Sequence, residues 1–381
     1  MIKQVHIIQR KNFLYLNKWL VMVLLLAFVG TITSWTYDPV PIGPYQFNYP
    51  TNFGNRTFIP DDNPTTKEGV YLGRMLFYET ALSANNKISC GTCHQQALAF
   101  TDGKAFSTGV DGSLTSRSSM SLANMLWSRK LFWDGRSNAL EGQAAIPMQN
   151  PHEMGQMMQT TVRKLSRKMP YPELFDKVFG KEEGINGVTI IKAIAQFERT
   201  LISANSKYDQ YLQGKHKPTK QELQGLALFN NAPQPAKSIR GANCSRCHGG
   251  VKTYMELFHN NGLDTVGKDA GIGSLTALAT DQGRFKAPTL RNIALTAPYM
   301  HDGRFKNLDE VLDHYSDHIK TSAALSDIFR GASNRKDGTQ LSLKADEKKA
   351  IIAFLSMLTD DTFIHDPRFS DPHIAATISN K

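Results

Sequence analysis

The chain has 381 residues, of which 41% are hydrophobic and 20% charged, with 28 glycines and 17 prolines. This composition excludes a disordered, collagen-like or coiled-coil protein and provides enough apolar residues for real cores. The formal net charge of +10 does not indicate nucleic-acid binding. Four of the positive charges precede the first acidic residue, Asp38, and the others are scattered rather than clustered in a stripe.

The N-terminal segment has the layout of an export signal. A basic stretch precedes an apolar run at residues 19–30, which has about the length of a signal-peptide core. A buried helix of the folded body is the alternative. The small residues after the run form no clear cleavage site, so residues 1–36 are predicted to be a signal peptide or an N-terminal membrane anchor. A cleaved signal peptide and a membrane anchor would both place the remainder of the chain in the periplasm.

The four cysteines of the chain form two C-x-x-C pairs, each followed directly by histidine. This is the attachment pattern of c-type haem, in which two thioether bonds hold the porphyrin and the histidine ligates the iron. A structural zinc site, a thioredoxin-like pair and structural disulfides are alternatives, but the pairs lie far apart and each has its own histidine. The predicted attachment and ligand residues are Cys90, Cys93, His94, Cys244, Cys247 and His248.

The two halves of the chain share a repeat. The pattern Gly-x-x-x-Phe precedes each haem motif, at residues 73–77 and 225–229. An Asp-Gly-Arg triplet follows each motif, at residues 134–136 and 302–304, with the same spacing from an upstream asparagine. The repeat predicts an all-α protein made of two tandem cytochrome-c-like domains, each wrapping one covalently bound c-type haem.

Apolar periodicity supports the all-α reading and helps to place the domains. Apolar residues recur at helical spacing near positions 190–201 and 351–358. The sequence Gly-Lys-His-Lys-Pro between these segments indicates a linker. The predicted units are an N-terminal haem domain at 45–213, a C-terminal haem domain at 214–365 and a tail at 366–381.

Comparison of the halves distinguishes the two haems. Trp133 and His301 each stand directly before an Asp-Gly-Arg triplet, and the residues at matching distances beyond them are Pro147 and Tyr315. Proline has no side-chain donor for iron, whereas tyrosine can ligate iron as a phenolate. The first haem is therefore predicted to be open on its distal side, and the second to be six-coordinate with His248 and Tyr315.

Tyr315 has competitors for this position. It could pack within a helix as an ordinary aromatic residue. Three other side chains that can ligate iron lie close to it in the sequence, namely Met300, His314 and His318.

A carboxylate near Pro147 could serve an open haem. Cleavage of the peroxide O–O bond needs a group that moves a proton from the inner to the outer oxygen. Glu153 is the candidate because it lies in the segment that follows Pro147. A glutamate on the protein surface is the alternative reading of the same residue.

Over about residues 65–360 the chain resembles the bacterial di-haem cytochrome c peroxidase family, which includes the MauG-type methylamine-utilisation enzymes. The resemblance implies that Trp133 relays electrons between the haems. It also implies that Gln143 and Glu153 are the active-site glutamine and acid, and that Pro147 is the distal proline.

The resemblance also implies an inter-domain calcium ion. The backbone carbonyls of Thr296 and Pro298 match the family segment that helps to bind it. The asparagine that usually contributes is matched here by Ser118, which is a departure from the family pattern.

Three departures from the family pattern concern the haems. No histidine occurs at residues 95–132, so the first haem is expected to be open without reductive activation. Tyr315 replaces the methionine of ordinary members and is similar to the MauG type. The second tryptophan of that type is absent, and Ala242 lies near its place.

The sequence thus predicts a di-haem peroxidase that reduces hydrogen peroxide with electrons from a small c-type cytochrome or a similar donor. A MauG-like enzyme that oxidises tyrosine or tryptophan of a partner protein is one alternative, because an anionic phenolate ligand favours ferric iron. A non-catalytic di-haem electron-transfer cytochrome is the other. No nucleic-acid partner is expected, and membrane anchoring and a homodimer both stay open.

Overall fold

Helices make up most of the regular structure in residues 40–374, the part of the chain that the computed structural model describes. The predicted helical fold is thereby confirmed. The predicted signal peptide or anchor, residues 1–36, lies outside the described residues, as do residues 375–381 of the predicted tail. Within residues 40–374, no helix combines the length and the apolar character needed to cross a membrane. Residues 42–374 belong to a single compact unit.

The regular elements of residues 40–374 are helices and one antiparallel pair of two-residue strands. The helices are α1 (Lys67–Phe77), α2 (Cys90–Cys93), α3 (Leu140–Gln149), α4 (Met158–Leu165), α5 (Tyr171–Phe179), α6 (Gly187–Glu198), α7 (Lys207–Leu212), α8 (Lys220–Asn230), α9 (Gly273–Thr276), α10 (Leu308–Asp317), α11 (Ala345–Ser356) and α12 (Asp361–His365). Strands β1 (Phe258–His259) and β2 (Phe285–Lys286) pair antiparallel, with Phe258 opposite Lys286.

Polar side chains at the N-terminal ends explain where several helices begin. The Thr66 hydroxyl accepts a hydrogen bond from a backbone N–H in the first turn of α1, and Asn307 does the same for α10. Asn186 and Thr219 begin α6 and α8, each within a reciprocal capping box. These bonds satisfy backbone donors that the first turn of a helix leaves without partners.

Each half of the chain contains a pair of packed helices, and the two pairs have the same arrangement. Helix α1 packs along α6, and α8 packs along α11. The repeated phenylalanines, Phe77 and Phe229, are buried in these pairs, where they contact Phe197 and Phe354 respectively. The apolar faces predicted for α6 and α11 are therefore the faces that form the two cores.

The repeated asparagines also occupy equivalent places. Asn124 and Asn292 both have left-handed backbones, with φ of 65° and 60°. The backbone N–H of Asn124 donates to the Leu201 carbonyl at 2.8 Å, and that of Asn292 donates to the Leu358 carbonyl at 3.0 Å. Each asparagine thus ties the loop after a haem motif to the chain just beyond α6 or α11.

Candidate haem sites

The first haem motif begins as the short helix α2. Its start is fixed by the backbone N–H of Ser89, which donates to the Thr92 hydroxyl at 3.0 Å. Nδ1 of His94 lies 2.8 Å from the carbonyl oxygen of Phe100. Because a carbonyl oxygen only accepts hydrogen bonds, Nδ1 carries the proton and Nε2 keeps a lone pair for a metal. Burial lowers the pKa of His94 and so favours the neutral imidazole.

The second motif has the same histidine geometry in a different backbone setting. A 3-10 turn at Cys244–Arg246 leads into His248. Nδ1 of His248 lies 2.9 Å from the Pro288 carbonyl oxygen, so Nε2 again keeps its lone pair. Burial lowers the pKa of His248 to about 4, which keeps this imidazole neutral as well.

All four cysteines are in the described residues, and none of them forms a disulfide. Burial raises the pKa of every one of these thiols, that of Cys244 to about 12 and that of Cys247 to about 11. Two thiols next to an imidazole with a free Nε2 are the donor set of a thioether-linked haem. Both motifs therefore fit a haem as the group that they hold.

A cavity of about 500 Å³ lies beside the second motif. Its size and largely apolar lining suit a planar organic cofactor. Its wall includes Cys247, His248, Tyr315, Met300 and Trp133. The structure thus brings the second motif, the predicted sixth ligand and the predicted relay to one cavity.

Tyr315 lies on α10 and lines this cavity. The hydroxyl oxygen accepts a hydrogen bond from Nδ2 of Asn261 at 3.0 Å. The ring stacks on Phe329 with centroids 5.9 Å apart. Burial raises the pKa of Tyr315 to about 12, while the bond from Asn261 acts in the opposite direction. An uncharged hydroxyl is thus favoured until a cation, such as ferric iron, binds the oxygen.

The three rival side chains lie in different settings. His318 is exposed, and its Nδ1 lies 2.9 Å from the Asp313 carbonyl oxygen. His314 is buried at 4% relative exposure and packs beside Tyr315 on the same helix. Met300 lines the cavity together with Tyr315. Met300 is therefore the rival that shares the cavity.

Trp133 lies between the two halves of the chain. Its indole N–H donates to the Ser118 carbonyl at 2.9 Å, and its own carbonyl accepts from the backbone N–H of Lys286 at 2.7 Å. The indole meets the ring of His301 edge-on, with centroids 6.5 Å apart. The two residues that are equivalent by the repeat thus face each other at the cavity.

The distal side of the first haem motif is expected near α3, which carries Gln143 and Pro147. The two residues are four apart and so lie on the same face of the helix. Pro147 has no backbone N–H for the carbonyl of Gln143, and α3 ends soon afterwards at Gln149. The chain then folds back, because the N–H of Met154 donates to the Pro147 carbonyl at 3.1 Å.

This turn positions Glu153. The carboxylate accepts a hydrogen bond from Nδ2 of Asn150 at 2.7 Å. The carbonyl of Glu153 accepts from the N–H of Val110 at 2.8 Å, which ties the turn to the loop after the first motif. Burial and then nearby carboxylates, Glu153 among them, raise the pKa of Cys93. Glu153 is therefore held in a turn that contacts the loop after the first motif.

Thr296 and Pro298, the predicted calcium-binding residues, border the cavity. The hydroxyl of Ser118 donates to the Met300 carbonyl at 2.9 Å, and its backbone N–H donates to the carbonyl of His301 at 2.8 Å. Within residues 40–374, no cluster of three or more acidic, cysteine or histidine side chains has the arrangement of a metal site. A site built from backbone carbonyls is not tested by this observation and stays a prediction.

Sequence reasoning missed the contacts of the charged residues near Trp133. Arg117 pairs with Asp134, the residue after the tryptophan, at 2.6 Å and with Asp269 of a distant loop at 2.7 Å. Lys286 is buried at 5% relative exposure and donates to the Ser128 hydroxyl at 2.9 Å. No local pattern distinguishes these residues from ordinary surface charges, because their partners come from distant parts of the chain.

Sequence reasoning also missed Asn261. It stands in an Asn-Asn-Gly sequence, which is typical of a turn and carries no signal of contact with a tyrosine far along the chain.

Comparisons with known proteins identify the family of the chain. A family model for di-haem cytochrome c peroxidase matches residues 67–217. The methylamine utilization protein MauG of Methylorubrum extorquens is 35% identical over 259 residues, which cover 67% of this chain and 70% of that protein. The cytochrome c551 peroxidase of Nitrosomonas europaea is 34% identical over 310 residues, which cover 78% of this chain and 82% of the relative.

Solved structures have the same fold. One is a MauG-like protein associated with microbial copper homeostasis, which is 34% identical in sequence and superposes with a TM-score of 0.79. The match covers 86% of this chain and 99% of the chain of that protein. The diheme peroxidase BthA from Burkholderia thailandensis is similar in fold alone, at 20% identity and a TM-score of 0.65. The chain therefore belongs to the di-haem cytochrome c peroxidase family, as the resemblance found in the sequence implied.

Proposed function

We propose that this di-haem peroxidase reduces hydrogen peroxide to water at its first haem, with electrons that a small c-type cytochrome or a similar redox protein delivers through the second haem. The observation that carries this proposal is the difference between Pro147 and Tyr315. Only the second of these equivalent positions offers a donor atom for iron. The peroxidase names of several relatives support the same reaction.

The two cofactors are proposed to be c-type haems, each attached covalently within its own cytochrome-c-like domain. Cys90, Cys93 and His94 would hold the first, and the equivalent residues of the second motif would hold the second. The haems supply the redox chemistry, and the protein binds, orients and shields them. The two matching helix pairs, α1 with α6 and α8 with α11, support the tandem arrangement, with domains at 45–213 and 214–365.

Glu153 is proposed to move a proton between the two oxygens of hydrogen peroxide. The amide of Asn150 holds one carboxylate oxygen at 2.7 Å and so limits the orientations of the carboxylate. Gln143 would orient the peroxide with its side-chain amide, because it shares a helix face with Pro147. A proline at this place leaves room for a small substrate and does not compete with it for iron.

Trp133 is proposed to relay electrons between the haems. It borders the cavity beside the second haem motif, referred to below as the second-haem cavity. Its indole N–H donates to the carbonyl of Ser118 in the N-terminal half. Calcium bound by the Thr296 and Pro298 carbonyls would add rigidity to the same region. Export to the periplasm is proposed from the signal-like layout of residues 1–36, and anchoring there and a homodimer remain alternatives for experiment.

A second candidate function is favoured by one observation. Tyr315 lines the second-haem cavity, and a phenolate ligand stabilises ferric iron. Such a haem would store an electron less readily, and it would share oxidising equivalents more readily with the first haem. A MauG-like oxidation of tyrosine or tryptophan on a partner protein would use that property.

Low-temperature electron paramagnetic resonance of the ferric haem-loaded protein, before and after peroxide, tests the proposal. We expect one high-spin and one low-spin haem, with rapid loss of the high-spin signal when peroxide is added. Two low-spin haems that do not respond to peroxide, even after reduction, would identify an electron carrier instead. Peroxide turnover with and without a reduced cytochrome would then separate peroxidase activity from MauG-like oxidation of a partner.

A further inference from the structure

Three side chains that could ligate the second haem converge on a single residue, Asn261. Its Nδ2 lies 3.0 Å from the hydroxyl oxygen of Tyr315 and 3.6 Å from the sulfur of Met300. Its backbone carbonyl oxygen lies 3.0 Å from Nε2 of His314. Asn261 is the second residue after strand β1 and borders the second-haem cavity.

These contacts affect the three side chains differently. Nε2 of His314 must donate to the carbonyl of Asn261, so that nitrogen carries a proton and has no lone pair to offer. The sulfur of Met300 accepts from the amide N–H, which engages a weak donor atom and restrains the flexible side chain. Only Tyr315 gains from its contact, because an N–H directed at its oxygen stabilises the negative charge of a phenolate.

The loop that carries Asn261 is held rigidly. The side-chain oxygen of Asn260 accepts from the N–H of Gly262 at 3.0 Å, and the backbone N–H of Asn260 donates to the Ser326 hydroxyl at 3.0 Å. The Gly262 carbonyl accepts from the N–H of Lys320 at 2.8 Å. Gly262 has a φ of +70°, and a methyl group on it would lie 2.6 Å from Ile319. The amide of Asn261 is therefore directed by the fold rather than by a mobile loop.

We propose that Asn261 is a positioning residue that selects Tyr315 over Met300 and His314 as the sixth ligand of the second haem. This inference rests on the proposed role of Tyr315 as that ligand. Asn261 acts in two ways: it donates a hydrogen bond to the oxygen that binds iron, and it holds the competing sulfur and imidazole in contacts of their own. Selection then depends on one amide, not on the tyrosine alone.

The test is spectroscopic and uses the full-length, haem-loaded protein. In Asn261→Leu, we expect the ferric second haem to lose its tyrosinate signature in electron paramagnetic resonance and optical spectra. A sulfur-to-iron charge-transfer band should appear as Met300 binds in its place. The midpoint potential should rise by about 59 mV or more, which for one electron is a tenfold change in the equilibrium. Asn261→Gln, which keeps an amide donor, should restore the tyrosinate signature.

Three controls separate the inference from its premise. Tyr315→Phe should abolish the tyrosinate signature, and Met300→Leu alone should leave it unchanged. The double variant Asn261→Leu with Met300→Leu should lack the sulfur band. If Asn261→Leu fails to incorporate the second haem, Asn261→Ser, whose short hydroxyl does not reach Tyr315, takes its place with the same expected spectra.

Two results would overturn the selection by Asn261 while leaving Tyr315 as the ligand. One is a wild-type spectrum in Asn261→Leu together with a changed spectrum in Tyr315→Phe. The other is an intact tyrosinate signature with only a lowered potential, which would mean that Asn261 tunes the ligand without selecting it. An unchanged spectrum in Tyr315→Phe would instead overturn the ligand assignment, and the inference with it.

Discussion

Gly73 of α1 lies so close to Ala193 of α6 that a methyl group on the glycine would be 2.0 Å from the alanine carbonyl oxygen. The second half repeats this contact, since a methyl group on Gly225 would be 1.9 Å from the carbonyl oxygen of Ala350. In both pairs, the absence of a side chain allows two helix backbones to touch. The glycines of the repeat are thus explained by packing rather than by backbone conformation.

Gly73→Ala should therefore destabilise the protein although alanine is the better helix former. We expect a loss of about 1–3 kcal/mol, because the helices must separate to admit the methyl group. Gly142→Ala is the matched control, since that exposed helical glycine has only the Ser137 hydroxyl near its missing side chain, at 3.4 Å. Denaturant unfolding of the haem-loaded variants measures the free energy of unfolding of each. Equal free energies in Gly73→Ala and Gly142→Ala would contradict this account of the contact.

Glu153→Gln tests the proposed proton transfer. The amide cannot accept and return a proton as a carboxylate does, so peroxide turnover should fall by roughly tenfold or more. Both haems should remain attached, because Glu153 does not belong to either haem motif. Steady-state peroxide reduction with a reduced cytochrome is the measurement.

The control for this prediction is Glu182→Gln, which changes an exposed glutamate far along the chain. It should leave turnover as in the wild type. Wild-type turnover in Glu153→Gln itself would remove Glu153 from the mechanism and favour its reading as an ordinary surface glutamate.

The ion pair between Arg291 and Asp209 should contribute strongly to folding. Both side chains are buried, at 0% and 1% relative exposure, and the guanidinium also donates to the Val251 carbonyl. Arg291→Met would leave an uncompensated carboxylate in the core at a cost of about 3–5 kcal/mol. The change should appear as a lower midpoint in denaturant unfolding.

An exposed pair provides the comparison. Arg368 pairs with Asp366 at 2.6 Å, but its side chain is 69% exposed. Because solvent screens such a pair, Arg368→Met should change the free energy of unfolding by about 1 kcal/mol or less. Losses of similar size in the two variants would show that burial does not determine the strength of these pairs.

Local patterns in the sequence were sufficient to predict the features that depend on residue spacing along the chain. The helical spacing of apolar residues predicts α6 and α11, and the repeat correctly pairs Asn124 with Asn292. The difference between Pro147 and Tyr315 also follows from the repeat. Each of these inferences needs only spacing along the chain.

Contacts between distant segments could not be predicted in this way. The bond from Asn261 to Tyr315 joins a turn to a helix, and the pair of Arg117 with Asp269 joins two long loops. No periodicity connects such residues, because their approach is decided by how the helices pack. The same holds for the orientation of His94, which depends on a carbonyl in the following loop.

Glu198 makes a prediction about pH. This carboxyl is 4% exposed, and burial raises its pKa from an ordinary 4.5 to about 8, with Glu141 acting in the same direction and Arg199 against it. The folded protein therefore retains a proton that the unfolded chain has already lost between those two values. The contribution of Glu198 to stability should therefore fall with rising pH across that window, by up to about 1.4 kcal/mol for each pH unit.

Replacing Glu198 with glutamine should remove this contribution, since the amide does not ionise. Denaturant unfolding between about pH 5 and pH 8 should then give a flatter dependence on pH than in the wild type, with the largest gain in stability at the alkaline end. Glu182→Gln, whose carboxyl is exposed, should keep the wild-type slope. Identical slopes in Glu198→Gln and the wild type would mean that Glu198 is ionised in the folded protein, with Arg199 as its counter-charge.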